Sequence, residues 1–213
     1  IDTRPPTVGI DLPDYINIAN VASVPVTITS DEGGTYVYII SDGVTDIKDT
    51  GDISAGVDVK LNLDLRTLNE GTVTADASVE DAAGNVGRAP QDTAGKDTLA
   101  PTVTITVSDG VISEADIPGT FDVKATFSEP MDTAFAPTIS FTPDVSTTLT
   151  SPSGGWSGGD TVYTVTYTIA DVDAGVADVD VSLGGAKDLA GNAQDPDPTT
   201  TADLFDIDTA PPT

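Results

Sequence analysis

Short runs of alternating apolar and polar residues recur along the chain and constrain its fold more than any other feature. Residues 73–79 read VTADASV, residues 103–107 read VTITV, residues 121–127 read FDVKATF and residues 163–169 read YTVTYTI. Successive side chains of a strand point to opposite faces, so this period of two predicts strands buried on one face only. Residues 61–70 are interpreted as the end of a strand and a loop. The chain is therefore predicted to be all-β, built from many short strands packed as antiparallel sandwiches.

Paired glycines interrupt the alternating runs and are predicted to mark the turns between strands. They are Gly33–Gly34, Gly154–Gly155, Gly158–Gly159 and Gly184–Gly185.

A short motif, Asp-Thr followed by two residues and then Pro-Thr, occurs three times. It occupies residues 1–10 (IDTRPPTVGI), 96–105 (KDTLAPTVTI) and 207–213 (IDTAPPT). The copies are 95 and 111 residues apart, which suits a small sandwich repeated in tandem. We predict one domain over 1–96 and a second over 97–213, the latter ending in the linker to a following repeat.

The charge of the chain excludes several classes of function. The 35 acidic residues outnumber the 8 basic ones, and the net charge is −27. Nucleic acid requires Lys and Arg, and an anionic membrane surface does too, so neither is an expected partner. No apolar stretch approaches the roughly 20 residues that span a bilayer, so membrane insertion is not expected. With no cysteine and no histidine, a disulfide, a thiolate metal site and an imidazole base are all excluded.

The acidic residues are mostly aspartates, because only five of the 35 are glutamates. Aspartate favours turns, since its short side chain bonds to its own backbone, and it is also a compact ligand for calcium. A salt-adapted or merely soluble surface is the alternative explanation. The bias toward Asp and its clustering near turns favour Ca²⁺ as the cofactor.

The sequence Asp-x-Ala-Gly-Asn occurs twice, in EDAAGNVG at 80–87 and in KDLAGNA at 187–193. If each domain has seven strands running alternately up and down, this turn between the last two strands lies beside the linker that opens the domain. Asp81 is then predicted to meet Asp2, and Asp188 to meet Asp97. An ordinary β-turn is the alternative, because Asp, Gly and Asn all favour turns without a metal.

The turn between the second and third strands of each domain is predicted at the same end. It is SDEGG in the first domain, with Asp31 and Glu32, and SEPMD in the second, with Glu129 and Asp132. Carboxylates brought together repel one another unless a cation joins them. Calcium takes about six to eight oxygen ligands, including carboxylates, carbonyls and Asn side chains.

The linker motif, the Asp-x-Ala-Gly-Asn turn and the stretch FSEPMD together resemble the bacterial immunoglobulin-like repeats of large, calcium-dependent, type I-secreted surface adhesins of the RTX or biofilm type. The resemblance implies two tandem antiparallel immunoglobulin-like β-sandwiches joined end to end by a short calcium-binding linker. It also implies an extracellular location on the bacterial cell surface and a role as a rigid spacer. The ligands that it implies are Asp2, Asp81 and Asn85 at the first site and Asp97, Asp188 and Asn192 at the second.

The opposite end of each domain is also acidic. In the second domain SDGVISEAD at 108–116 and DVDAG at 171–175 are expected near Asp208, as half of a site that a third repeat completes. In the first domain Asp11, Asp14 and Asp64 are expected to face the junction from the corresponding end. Acidic solvated loops are the alternative interpretation.

An enzymatic function is not expected. The chain lacks the G-x-S-x-G nucleophile turn and the phosphate-binding G-x-x-x-x-G-K-[ST] loop, and acidic pairs arise by chance among so many carboxylates. The expected function is that of a calcium-rigidified spacer of a surface adhesin. The chain is expected to be a monomer, with neighbouring repeats of the same protein as its partners. Without metal, the two domains are expected to hinge about residues 96–101. A carbohydrate-binding or accessory module that uses Trp156, and an S-layer repeat, are the alternatives; Trp156 is favoured as a plug of the sandwich.

Overall fold

The computed structural model describes residues 1–211 and divides the chain into two compact units, Ile1–Leu99 and Ala100–Thr213. The division follows Leu99, whereas the boundary drawn from the linker motif followed Lys96. The third copy of that motif extends over residues 212 and 213, which lie outside the described residues. Each unit has its own hydrophobic core.

The first unit consists of nine strands. They are β1 (Val8–Asp11), β2 (Tyr15–Ile16), β3 (Val24–Ser30), β4 (Gly34–Ser41), β5 (Asp46–Ile53), β6 (Val59–Leu63), β7 (Gly71–Asp81), β8 (Val86–Arg88) and β9 (Asp92–Lys96).

Two sheets form the first unit. One has the order β1-β3-β6, and the other has the order β2-β9-β7-β4-β5 with β8 paired to β7. The alternation predicted along β7 is present, because Val73, Ala75, Ala77 and Val79 are all buried. Apolar faces of both sheets meet in one core, as the sandwich prediction requires.

The N-terminal strand of the first unit changes sheet. The β1 strand pairs antiparallel with β3, and after Pro13 the chain joins the other sheet, where β2 runs parallel to β9. Pro13 has no N–H to donate to a ladder, so it suits this break between the two strands. The first unit therefore contains one short parallel pair in an otherwise antiparallel sandwich, a detail absent from the sequence-based prediction.

Up to residue 211, the second unit consists of eight strands and a single turn of 3₁₀ helix at Glu114–Asp116. The strands are β10 (Val103–Val107), β11 (Val111–Ser113), β12 (Thr120–Phe127), β13 (Thr138–Thr142), β14 (Leu149–Ser157), β15 (Val162–Ile169), β16 (Gly175–Gly184) and β17 (Thr199–Asp208).

The sheets of the second unit have the orders β10-β12-β15-β14 and β11-β17-β16-β13, and β11 runs parallel to β17. The predicted inward face of β12 is confirmed, since Phe121 and Phe127 are buried together with the residues between them on that face. The ring of Phe121 packs against Phe205 of the opposite sheet at 4.7 Å between centroids. This contact joins the two sheets at the centre of the core.

One predicted break is wrong. Gly154 and Gly155 lie within β14 and not in a turn, whereas Gly158 and Gly159, with φ of 64° and 67°, do form the turn that follows it. The cause is a cross-strand contact, because a Cβ at Gly154 would lie 2.2 Å from the hydroxyl of Tyr163. Glycine is required there by the neighbouring ring and not by a change of chain direction.

Membrane-spanning helices are not part of this fold. Over residues 1–211 no helix is both long enough and apolar enough to cross a bilayer.

Candidate metal centre

The Asp-x-Ala-Gly-Asn motif of the first unit forms a turn closed by its own hydrogen bonds. The Asp81 N–H donates to the Asn85 carbonyl at 3.0 Å, and the Gly84 N–H donates to the Asp81 carbonyl at 3.1 Å. The Asp81 side chain accepts from the Ala83 and Asn85 N–H groups at Oδ1 and from Asn85 Nδ2 at Oδ2, at 2.8–2.9 Å. Gly84 supplies the φ of 87° that the turn requires.

The motif of the second unit repeats this turn. The Asp188 N–H donates to the Asn192 carbonyl at 3.0 Å, and the Gly191 N–H donates to the Asp188 carbonyl at 3.1 Å. The Asn192 backbone N–H and side-chain amide both donate to the Asp188 carboxylate at 2.8 Å. Local hydrogen bonding therefore explains why Asp, Gly and Asn recur at these positions. An ordinary β-turn, the alternative to a metal site, is favoured by the same three residue types.

The turn leaves part of the acceptor capacity of its aspartate unused. An ionised carboxylate offers about four lone-pair sites, and the first-unit turn occupies three sites of Asp81. The same hydrogen bonds, chiefly the one from the Asn85 side chain, hold the pKa of Asp81 below its ordinary value. Asp81 is therefore a fixed, ionised carboxylate, and it is only 9% exposed.

Three segments of the first unit bring carboxylates to this turn. In the ladder between β4 and β7, Gly34 lies opposite Asp81, so the β3–β4 turn that contains Glu32 is adjacent. Asn85 Nδ2 lies 3.4 Å from the carbonyl of Asp2, which holds the N-terminal segment beside the motif. Asp2, Glu32 and Asp81 each place a carboxylate oxygen within 4.8 Å of the others, and we call these three residues the first acidic group.

The first acidic group lines an open depression of about 490 Å³, together with Asp31 and the small residues Gly33, Ala55, Ala82 and Ala83. Three carboxylate oxygens at this separation form a donor set suited to a hard cation such as calcium. The predicted meeting of Asp81 with Asp2 is present in the structure. A metal at this place stays a prediction.

Arg4 is a participant that the sequence analysis missed. Its guanidinium bonds to Asp31 at 2.5 Å and lies 3.7 Å from the Glu32 carboxylate. Asp31 also accepts from the Thr7 N–H at 2.6 Å, and this bond first, then the contact with Arg4, lowers the pKa of Asp31. Asp31, predicted as a ligand, bonds to Arg4 and Thr7 and lines the same depression as the first acidic group, and its metal-binding role stays a prediction.

The second unit brings Glu129 to its own motif turn. The Met131–Asp188 bridge and the hydrogen bond from the Asp132 N–H to the Lys187 carbonyl, 2.9 Å, hold SEPMD against the motif. One carboxylate oxygen of Glu129 lies within 4.8 Å of one of Asp188, whose side chain is 1% exposed. This pair is the second acidic group.

The other predicted ligands have different surroundings. The Asp132 carboxylate accepts from the Ala134 N–H at 2.9 Å and caps its own turn. Asp97 lies in the first unit, where its N–H donates to the Ile16 carbonyl at 2.8 Å. Asp208 is exposed at the end of β17, in register with Gly175. The metal-binding roles of all three, and of Asn85 and Asn192, stay predictions.

Trp156 lies in the core region and not on an open platform. Its ring centroid is 4.9 Å from that of Tyr163 and 5.6 Å from that of Phe127, and it packs against the core of the second unit. This position agrees with the prediction that Trp156 plugs the sandwich.

Comparisons with known proteins show the fold. No family model matches the chain, and no curated protein matches it either. A solved structure of a 1.5-MDa bacterial ice-binding adhesin, described for its retention at the host cell surface, is similar over 98% of this chain and 67% of its own, with 21% identity and a TM-score of 0.52. Fibronectin(III)-like modules of Clostridium thermocellum CbhA are 14% identical over 96% of this chain and 94% of theirs, with a TM-score of 0.39. The likeness to the adhesin shows that the two units share the immunoglobulin-like β-sandwich fold.

Proposed function

We propose that this chain is a non-enzymatic spacer of a bacterial cell-surface adhesin and that calcium binds at the acidic groups of its two units. The observation that carries the proposal is the same self-bonded turn in both units, each time with a carboxylate delivered from a distant segment. An ordinary turn needs no such neighbour. In the first unit three carboxylates share one depression with a single arginine beside them.

Electrostatics supports a cation over a purely solvated surface. Carboxylates whose oxygens lie within 4.8 Å of one another repel, and the hydrogen bonds that lower the pKa of Asp81 favour its charged form instead of relieving the repulsion. A divalent cation removes this repulsion and stabilises the folded arrangement, because the unfolded chain does not assemble the site. By the sequence repeat, Asp97 is the linker ligand of the second acidic group.

Fold and site together support the proposed spacer role. The similarity to an adhesin supports an extracellular, cell-surface location and neighbouring sandwich repeats as partners. Trp156 is partly buried against Tyr163 and Phe127, which leaves the carbohydrate-module alternative without an open aromatic platform. Calcium at the linker would replace repulsion by a bridge and so make the junction resist bending, as the resemblance to calcium-dependent adhesin repeats implies.

The test is a calcium titration followed at each site separately. The amide resonances of Gly84 and Gly191 report on the two motif turns, and small-angle X-ray scattering in millimolar calcium and in chelator reports on the junction. We expect both resonances to shift and the maximum dimension to increase with calcium.

Matched variants sharpen this test. Glu32→Gln removes a carboxylate that forms a long ion pair with Arg4, 3.7 Å, so it should weaken binding at Gly84 and leave the fold intact. Glu80→Gln makes the same change of charge on an exposed strand position outside the acidic group. Identical titrations for wild type, Glu32→Gln and Glu80→Gln would refute the first site, and identical scattering with calcium and chelator would refute the rigid spacer.

A further inference from the structure

The linker motif contains a threonine that cation binding leaves unexplained. In Asp97-Thr98 and again in Asp208-Thr209, the aspartate is the predicted ligand and the threonine directly follows it. Both threonines are bonded to the unit that precedes them in the chain, by different partners. This common placement indicates a role for the threonine that is separate from the metal.

In the first unit the partner is Glu70, at the start of β7. Its Oε2 accepts from the Thr98 N–H at 2.8 Å, and its Oε1 accepts from the Thr98 hydroxyl at 2.5 Å. The same Oε1 accepts from Lys96 Nζ at 2.8 Å. Glu70 thus bonds the residues on both sides of Asp97.

Lys96 is an unusual member of this set, because its side chain is only 3% exposed. A buried ammonium is costly unless it is paired, so Lys96 strongly favours the conformation in which Glu70 faces it. The Asp97 N–H in turn donates to the Ile16 carbonyl at 2.8 Å, which continues the parallel pairing of β2 with β9 by one residue. Three consecutive residues, 96–98, are therefore fixed on the first unit by polar contacts that involve no cation.

The second unit anchors its threonine through the backbone. Thr209 is completely buried, its N–H donates to the Ala174 carbonyl at 2.8 Å, and its hydroxyl accepts from the Ala174 N–H at 2.9 Å. The chemistry differs from that at Thr98, yet the result is the same. A hydrogen-bonded threonine fixes the backbone one residue after the aspartate.

We propose that Glu70 and Thr98 are positioning residues that hold Asp97 in place before a cation binds, and that Thr209 does the same for Asp208. An aspartate on a fixed backbone loses less freedom on ligation than one on a flexible tether, so anchoring raises the affinity of its site. Residues 96–98 of the predicted hinge over 96–101 are accordingly fixed on the first unit, so the hinge begins after Thr98. The consequence for affinity rests on the proposed function, whereas the anchoring itself does not.

The test uses the full chain with three changes. Glu70→Gln leaves one acceptor oxygen in place of two, so the Lys96 ammonium and the Thr98 N–H can no longer bond to separate oxygens. Thr98→Val removes only the hydroxyl, and Thr98→Ser restores it. Glu80→Gln is the control with the same change of charge. In chelator, we expect Glu70→Gln to speed amide exchange at Thr98 by about tenfold, with the remaining amide spectrum of the first unit still dispersed.

Calcium affinity supplies a readout that a merely structural role would not move. With Glu70→Gln and Thr98→Val we expect affinity to fall about three- to tenfold at Gly191 and to stay unchanged at Gly84, and we expect Thr98→Ser to restore it. Unchanged exchange at Thr98 would overturn the anchoring. Faster exchange with unchanged affinity at Gly191, or an equal loss at both glycines, would overturn positioning. If the wild type shows no calcium response, the proposed function fails, and the exchange data alone decide the anchoring.

Discussion

Arg4 should weaken the first cation site, and replacing it tests the electrostatic argument directly. The corresponding residues in the other copies of the linker motif are Leu99 and Ala210, so the arginine is peculiar to the first copy. It neutralises part of the charge on Asp31 and Glu32. Arg4→Leu, which restores the residue of the second copy, should therefore increase calcium affinity at the first acidic group.

The distances give the size of the effect. A calcium ion lies about 2.4 Å from a carboxylate oxygen, and Arg4 Nη1 is 3.7 Å from Glu32 Oε1, so ion and arginine are up to about 6 Å apart. At about 6 Å, charges of +2 and +1 repel by about 1.4 kcal/mol in water, and physiological salt reduces this by roughly half. The remainder corresponds to about a threefold change in affinity, rising toward tenfold if the effective dielectric constant beside the protein is lower than that of water.

The assay is a calcium titration at fixed ionic strength, followed through the amide resonances of Gly84 and Gly191. Affinity at Gly84 should increase about three- to tenfold in Arg4→Leu, while Gly191 is an internal reference. Arg66→Leu removes the same charge from a local pair with Asp64 and should leave Gly84 unaffected. An unchanged or weaker affinity at Gly84 in Arg4→Leu would show that Arg4 does not compete with the cation.

Three further changes test other parts of the structure. Backbone and side-chain hydrogen bonds lower the pKa of Asp42 to about 2, so its ionised form stabilises the fold above the unfolded pKa of about 4. Asp42→Ala should therefore lower the melting temperature at pH 7. The difference from the wild type should shrink as the pH falls from about 4 to about 2. Phe121→Ala empties the centre of the second core and should cost about 3–5 kcal/mol in urea unfolding, and a smaller loss would mean that the site collapses. A Cβ at Gly87 would lie 1.9 Å from the Pro6 carbonyl, so Gly87→Ala should displace the N-terminal segment and weaken calcium binding at the first site, whereas Gly175→Ala, with open space around it, should not.

The strand pattern was predictable because it depends on local alternation over a half-buried surface. Tyr163, Val165, Tyr167 and Ile169 were placed on one face from the sequence, and all four are buried. The position of the motif turns beside the β3–β4 turn and the β12–β13 turn was also predictable from strand direction, although the units contain more strands than the seven assumed. An even count of strand reversals brings those turns to the same end of a sandwich.

What the sequence did not reveal depends on contacts between distant segments. Gly154 was assigned to a turn because a glycine pair usually marks one, but the deciding neighbour is Tyr163 across the ladder. The bonds from Arg4 and Thr7 to the Asp31 carboxylate were likewise not predicted, although the role of Asp31 as a ligand stays a prediction. Rules based on hydrophobic period and turn residues do not predict contacts between distant segments. The presence of Arg4, where the other two linker copies have Leu99 and Ala210, could have indicated an ion pair with a nearby acidic residue.

The anchored linker also determines how load would pass along the chain. Thr98 is bonded to the first unit, and the Pro101 carbonyl accepts from the Asp195 N–H of the second, so Leu99 and Ala100 separate the two attachments. The three peptide units between Thr98 and Pro101 span at most about 11 Å, and Pro101 restricts Ala100 further. A force that pulls on the chain would therefore act through a short linker on the hydrogen-bonded strands of both units. A long flexible linker would instead extend first and delay the load on the sheets.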